Sequence, residues 1–204
     1  MTIVYLCLMQ NTKIQRNLKE DGRRLRSLES KALIVDAMMK LINKGILDPT
    51  AQQVADEAGM GIRTVFRQIQ DKETLFLLMD KKVKDFNDQG LMTTSPKGNL
   101  KSRIRDLIEL EAKAYEGHLQ FIRATLVNKW KYKTLQNNYE RNQRNIKLLL
   151  YRWLPELSEL EDLFQIFLTS INSTGYWIEL RENQMLSVEE AIELKIQTFE
   201  RVLL

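Results

Sequence analysis

The sequence holds one cysteine, Cys7, and one histidine, His118. An internal disulfide is excluded, and so are the Cys/His spacings that cage zinc. A lone histidine far from a lone cysteine makes a poor base–nucleophile pair. With no Ser-His-Asp set, no glycine-rich phosphate loop and no metal-ligating cluster, an enzyme is not expected and no cofactor is called for. Proline (3) and glycine (8) are scarce among 204 residues. The β-branched alternation of strands is also missing, so the chain reads as all-α. No apolar run reaches the roughly 20 residues that span a bilayer. The opening "MTIVYLCLM" is short, with no basic region before it and no small-residue cleavage site. Neither a membrane span nor a secretion signal is expected, and a cytoplasmic location fits. Met9 is a second candidate start beside Met1.

What is present is 44% hydrophobic and 28% charged residues, enough for a real core. The charge is uneven. Residues 1–72 carry 12 Lys+Arg against 8 Asp+Glu, whereas residues 73–204 carry 19 of each. The whole excess of +4 lies in the first third, where it would attract a polyanion. A solvated basic surface is the plainer reading of the charge alone.

Residues 1–26, with Lys13, Arg16, Lys19, Arg23, Arg24 and Arg26, read as a flexible basic arm, either a solvated tail or a segment that would lie along phosphates or enter a minor groove. A first helix is predicted from Ser27 to Lys44, capped by Ser27 or Ser30. Leu33, Ile34, Ala37, Met38, Leu41 and Ile42 form its apolar face, and Gly45 is a left-handed cap. Thr50 and Gln53 form the T-x-x-Q capping box of a second helix that ends at Gly59. A third helix over Ile62–Ile69 turns Val65 and Ile69 inward, and Asp71 caps a fourth. Two helices around a tight turn, the second short and polar outside, make the helix-turn-helix pattern. An α-helix fits the major groove, so Arg63, Thr64, Arg67 and Gln68 face outward as groove readers.

These residues carry a family resemblance. "T-x-x-x-V-A-x-x-A-G-M" at Thr50–Met60, "R-T-V-F-R-Q-I" at Arg63–Ile69 and "D-K-E-T-L" at Asp71–Leu75, after an apolar helix ending in Gly45, resemble the DNA-binding domain of the TetR (tetracycline repressor) family. The resemblance implies a homodimeric, all-α transcription regulator, most often a repressor. Its near-palindromic double-stranded operator would be released when a small-molecule effector binds the C-terminal domain. Carried onto this chain, it puts Thr50 and Lys72 on phosphates. Ile62, Arg63, Thr64 and Arg67 approach base edges, and Gln68 a base or a phosphate. Phe66 stands in the same contact set, where the family usually has Tyr, so a phosphate-bonding hydroxyl is missing. Ile69 replaces the usual Phe, Gly61 the usual Ser cap, and Arg63 a frequent Gly or Pro. The Phe66 departure keeps open an alternative, a helical adaptor or ligand-binding protein that has lost specific DNA binding.

The domains expected are the arm (1–26), the helix-turn-helix domain (27–75) and a ligand-binding and dimerisation domain (76–204). In the last, a loop at "NDQGLMTTSPKGN" precedes a helix over Leu100–Gly117. Capping boxes are expected at Ser158/Glu161 and Ser187/Glu190. Tyr115, His118, Phe121, Trp130, Trp153, Tyr176 and Trp177 are candidate pocket residues, although each taken singly suits a core. The run "ELEDLFQIFLTSINSTGYWIEL" is apolar nearly all round, so it is buried on several sides. Phe164, Phe167, Ile171 and Ile178 there, with Ile192, Ile196 and Phe199 of the last helix, are the candidate dimer interface. The plainer reading makes that run the central helix of a single bundle.

Overall fold

The computed structural model describes the backbone of residues 2–87 and 94–204. It describes the side chains of residue 22 and of residues 24–82 and 94–204. Every regular element among these residues is helical. The chain divides into two compact units, residues 1–75 and 76–204.

In the first unit, α1 runs from Thr2 to Asn43. It takes in the segment read above as an arm. The physical reason is composition: that segment contains no proline and a single glycine, Gly22, and Arg, Lys, Gln and Leu, all good helix formers, recur along it. Ser27 and Ser30 are therefore interior residues, not caps. The Ser30 hydroxyl donates to the Arg26 carbonyl at 2.8 Å. The side chains of Lys13, Arg16, Lys19, Arg23 and Cys7 lie outside the described residues, as do residues 88–93 of the expected loop.

Gly45 ends α1 at φ +89°, with Ile46 N–H returning to Leu41 O at 3.0 Å. Only glycine adopts that backbone without strain, and the bond satisfies a terminal carbonyl. Helix α2 (Ala51–Glu57) carries the predicted capping box: Gln53 N–H donates to the Thr50 hydroxyl at 3.2 Å, and Thr50 N–H to Gln53 Oε1 at 2.8 Å. Gly59 at φ +65° closes α2, and Gly61 is the N-cap of α3 (Ile62–Gln68). Ile34, Met38 and Ile42 of α1, Val54 and Ala55 of α2, and Val65 of α3 are buried and hold the three helices together. Asp71 accepts from Thr74 N–H at 2.6 Å at the start of α4 (Lys72–Asn87), as expected of its cap. That bond holds its carboxyl below the usual carboxylate range.

The second unit contains the rest of α4, then α5 (Leu100–Gly117), α6 (Leu119–Asn128), α7 (Lys133–Trp153), α8 (Asp162–Ile171), α9 (Thr174–Ile178) and α10 (Val188–Leu203). Ile104, Leu107 and Ile108 of α5 pack with Leu150 and Trp153 of α7, Leu168 of α8 and Phe199 of α10. The Ser187/Glu190 box forms in both directions at the start of α10. The Ser158/Glu161 box does not form. Pro155 initiates a 3-10 turn over Pro155–Glu159 that absorbs Ser158, and α8 starts without a side-chain cap bond. The apolar run that follows is also not one helix. It breaks after Ile171, Ser173 caps α9 through Tyr176 N–H, and a π-helical turn covers Glu179–Asn183. The break lies at Asn172, whose side chain is buried and bonded to two other helices.

Candidate nucleic-acid interface and ligand domain

Helix α3 is two turns long, and its two sides differ sharply. Val65, with Ile69 just beyond the helix, is buried on one side. Arg63, Phe66 and Arg67 are exposed on the other, Phe66 with 58% of its surface in water. Ile62, Thr64 and Gln68 are half-buried on its flanks. No carboxylate occurs in α3, so its outer face is purely cationic and aromatic. Arg63 and Arg67 make no ion pair among the described residues. An arginine fork left in water can meet guanine O6 and N7 or a phosphate bidentately.

The remaining residues expected at DNA are engaged within the unit. Ser27 Oγ donates to Gln68 Oε1 at 2.7 Å, tying α3 to α1. The Thr50 hydroxyl donates to Gln53 Oε1 at 3.1 Å, so it already serves the cap. The Lys72 ammonium is paired with the Asp48 carboxylate. Of the three, only Gln68 ties α3 to another helix; the Thr50 bond belongs to the cap of α2, and the Lys72 pair joins the start of α4 to Asp48.

In the second unit the candidate pocket residues do not form one lining. Tyr115 and Trp177 pack at 5.9 Å between ring centroids, with Tyr176 against the same cluster. Trp153 is fully enclosed in the other core cluster. Trp130 is 77% exposed, because the short turn between α6 and α7 holds it on the surface, and it lines nothing enclosed. Phe121 and His118 are half-buried. Burial holds the His118 imidazole below its ordinary pKa.

Beside Tyr115 and Trp177 lies a polar cluster that the sequence reading passed over. Glu111 of α5 and Lys195 of α10 are each 1% exposed. Lys195 Nζ stands 3.5 Å from Glu111 Oε2 and donates to Asn172 Oδ1 at 3.1 Å. Asn172 Nδ2 donates to Glu111 Oε1 at 2.8 Å, and the Tyr115 hydroxyl to the Asn172 carbonyl at 3.2 Å. The ammonium also lies 5.8 and 5.9 Å from the Tyr115 and Trp177 ring centroids. Burial, the largest influence on both charged groups, raises the Glu111 pKa and lowers that of Lys195 despite their mutual attraction. Close by, Glu116 accepts from Trp177 Nε1 at 2.9 Å and from Arg181 Nε at 3.0 Å.

A solved structure of a Mesorhizobium loti protein assigned to the TetR family of transcriptional regulators superposes with a TM-score of 0.61 at 19% sequence identity. The match covers 87% of this chain and 96% of that one. The chain has the TetR-type fold. No family model matches the sequence, and no curated protein matches it. Among the described residues, no helix is long and apolar enough to cross a membrane.

On this TetR-type fold the candidate dimer residues separate into two sets. Ile171, Ile196 and Phe199 face the core of their own chain, with 0–6% exposure, and are corrected to core residues. Their positions along α8 and α10 align with Leu168 and with α5, which claim them first. Ile178 and Ile192 are half-buried. Phe164 and Phe167 remain exposed, together with Leu163 and with Ile166, which sequence reasoning missed. Leu163, Ile166, Phe167 and Ser170 recur at i, i+3, i+4 and i+7, a second stripe on α8 beside the buried one of Leu168 and Ile171.

Proposed function

We propose that the protein is a sequence-specific DNA-binding transcription regulator, a repressor in its basal state. The observation that carries this reading is the outer face of α3, where Arg63, Phe66 and Arg67 stand in water without a carboxylate on the helix. The arginines read guanine edges or phosphates. Phe66, lacking a hydroxyl, offers apolar contact to a thymine methyl group. Thr64 and Ile62 border that contact, while Gln68 ties the helix to α1 and, with Thr50 and Lys72, adds phosphate bonds at the rim. Selection from a random duplex pool tests the reading. A near-palindromic sequence with two half-sites about 34–36 Å apart is expected to be enriched. If nothing is enriched at low salt and the chain captures a protein or small molecule instead, the adaptor reading replaces this one.

The near-palindrome requires two copies. The exposed stripe of Leu163, Ile166 and Phe167 on α8 is the surface for a second copy, because an apolar stripe of that kind is costly to leave in water. Replacing Ile166 and Phe167 together by Glu is expected to leave monomers in sedimentation equilibrium, with helical content unchanged because both side chains point away from the core. A dimer of wild-type affinity in that variant would place the interface elsewhere. The effector's entry is assigned to the Tyr115–Tyr176–Trp177 neighbourhood, where aromatic faces adjoin buried polar groups.

A further inference from the structure

The second unit is neutral only in total. Residues 123–147 contain seven Lys+Arg and one carboxylate, Glu140, whereas residues 153–204 contain three Lys+Arg and ten Asp+Glu. The two excesses nearly cancel in the sum, and in space they meet at the Arg123–Glu182 pair. Within the basic stretch, Arg123 is paired with Glu182 at 2.6 Å and Arg141 with Asp80 at 2.9 Å. Lys133, Arg144 and Lys147 are exposed and make no ion pair among the described residues. They lie on one side of α7, since steps of 11 and 3 residues return to nearly the same direction on a helix. The stripe is about 21 Å long at 1.5 Å per residue. At its N-terminal end stands Trp130, with the Lys129 ammonium 4.9 Å from its ring and 3.8 Å from that of Tyr139. The adjoining Tyr132 packs on Phe76 at 5.3 Å between centroids. Phe76 is the first residue of this unit and covalently next to Leu75, the last of the helix-turn-helix unit.

We infer that the Lys133–Arg144–Lys147 stripe of α7, with Trp130 at its end, is a second nucleic-acid surface that binds duplex phosphates. The inference rests on the DNA-binding reading above and extends it to the unit assigned to ligand and dimer contacts. Two features favour a duplex over other partners. The stripe is cationic with one carboxylate. Its length matches a run of phosphates, not a single ionic group, because duplex DNA carries one charge per about 1.7 Å of axis. Phosphate contacts position a protein without reading sequence, so the stripe adds affinity and salt dependence while α3 retains the specificity.

The test is fluorescence anisotropy with the full chain over a salt series, using the selected operator and a random-sequence duplex. The variant replaces Lys133, Arg144 and Lys147 by Gln. All three are exposed, and equal thermal melting confirms that it is folded. Each lost phosphate contact flattens the slope of log affinity against log salt by about 0.9, so a fall of about 2 to 3 is expected on both duplexes with sequence preference unchanged. The same loss on the random duplex is expected when Arg63 and Arg67 are already Glu. An unchanged slope, with binding still dependent on Arg63 and Arg67, overturns this surface and leaves the groove-reading function intact. Conversely, duplex binding that has no sequence preference but is lost in the triple variant removes the operator reading and retains the surface. Vesicles of phosphatidylglycerol and phosphatidylcholine form the last arm. Binding to them and not to duplex, abolished by the three substitutions, assigns the stripe to a membrane and overturns the proposal.

Discussion

Reversing the charge of Arg63 and Arg67 together, Arg63→Glu with Arg67→Glu, is expected to abolish specific duplex binding while leaving the fold unaltered. Each bidentate arginine–guanine pair is worth about 1–3 kcal/mol of discrimination. Two such pairs correspond to a loss of roughly 30-fold to ten-thousand-fold, at about 1.4 kcal/mol per factor of ten. The glutamates add repulsion from phosphates, so the upper half of that range is expected. Stability is spared because both side chains are exposed and neither makes an ion pair among the described residues. An electrophoretic shift with the selected operator, read beside a thermal melt, checks both statements. The useful contrast is Lys72→Ala. Its ammonium is already paired with Asp48, so its removal trades one interaction for another and costs far less binding than the arginine pair. A double variant that still shifts the operator with wild-type affinity would remove α3 from the DNA surface and the regulator reading with it.

How much of this was legible before the structure depends on the distance over which each signal acts. The helix-turn-helix is written in local terms: a capping box at Thr50 and Gln53, glycines where the backbone turns left-handed, and apolar residues one turn apart. Short-range geometry fixes such features, and they are found where the sequence puts them. The start of α1 was misread because charge was taken as a sign of disorder, when Lys, Arg, Gln and Glu are also good helix formers. In the second unit the signals are long-range. Ile171, Ile196 and Phe199 have the composition of an interface, but only the placement of α5 and α7 decides which stripe of α8 and α10 their own chain buries. The run around Asn172 looked like one helix because side-chain bonds made by residues 61 and 23 positions away do not show in a hydrophobic period. The α7 stripe was hidden by adding charges over 132 residues when the separation occurs within them.

Lys195 was visible in a sense, and it carries the largest stability effect. It stands three residues after Ile192 and four before Phe199, inside the apolar register of α10. Glu111 has the same position in α5, four after Leu107 and three after Ile108. Two opposite charges, each in the apolar stripe of its helix, predict one another. Lys195→Met alone is expected to destabilise the protein by about 3–5 kcal/mol, because Glu111 would remain buried without its cation. Glu111→Met alone should cost a similar amount for the opposite reason. The double variant does not simply restore stability, since Asn172 would then have lost both side-chain partners while still 1% exposed. Only the triple change, Glu111→Met, Asn172→Leu and Lys195→Met, removes every orphaned polar group, and it is expected to recover most of the loss in urea unfolding. Burial opposes the charged form of both groups more strongly than their attraction favours it, so an apolar replacement of the whole cluster gives up little. If either single variant unfolds at the wild-type urea concentration, the cluster is not a coupled unit. Its retention would then have to come from what the ammonium offers to the Tyr115 and Trp177 faces, where the effector is assigned.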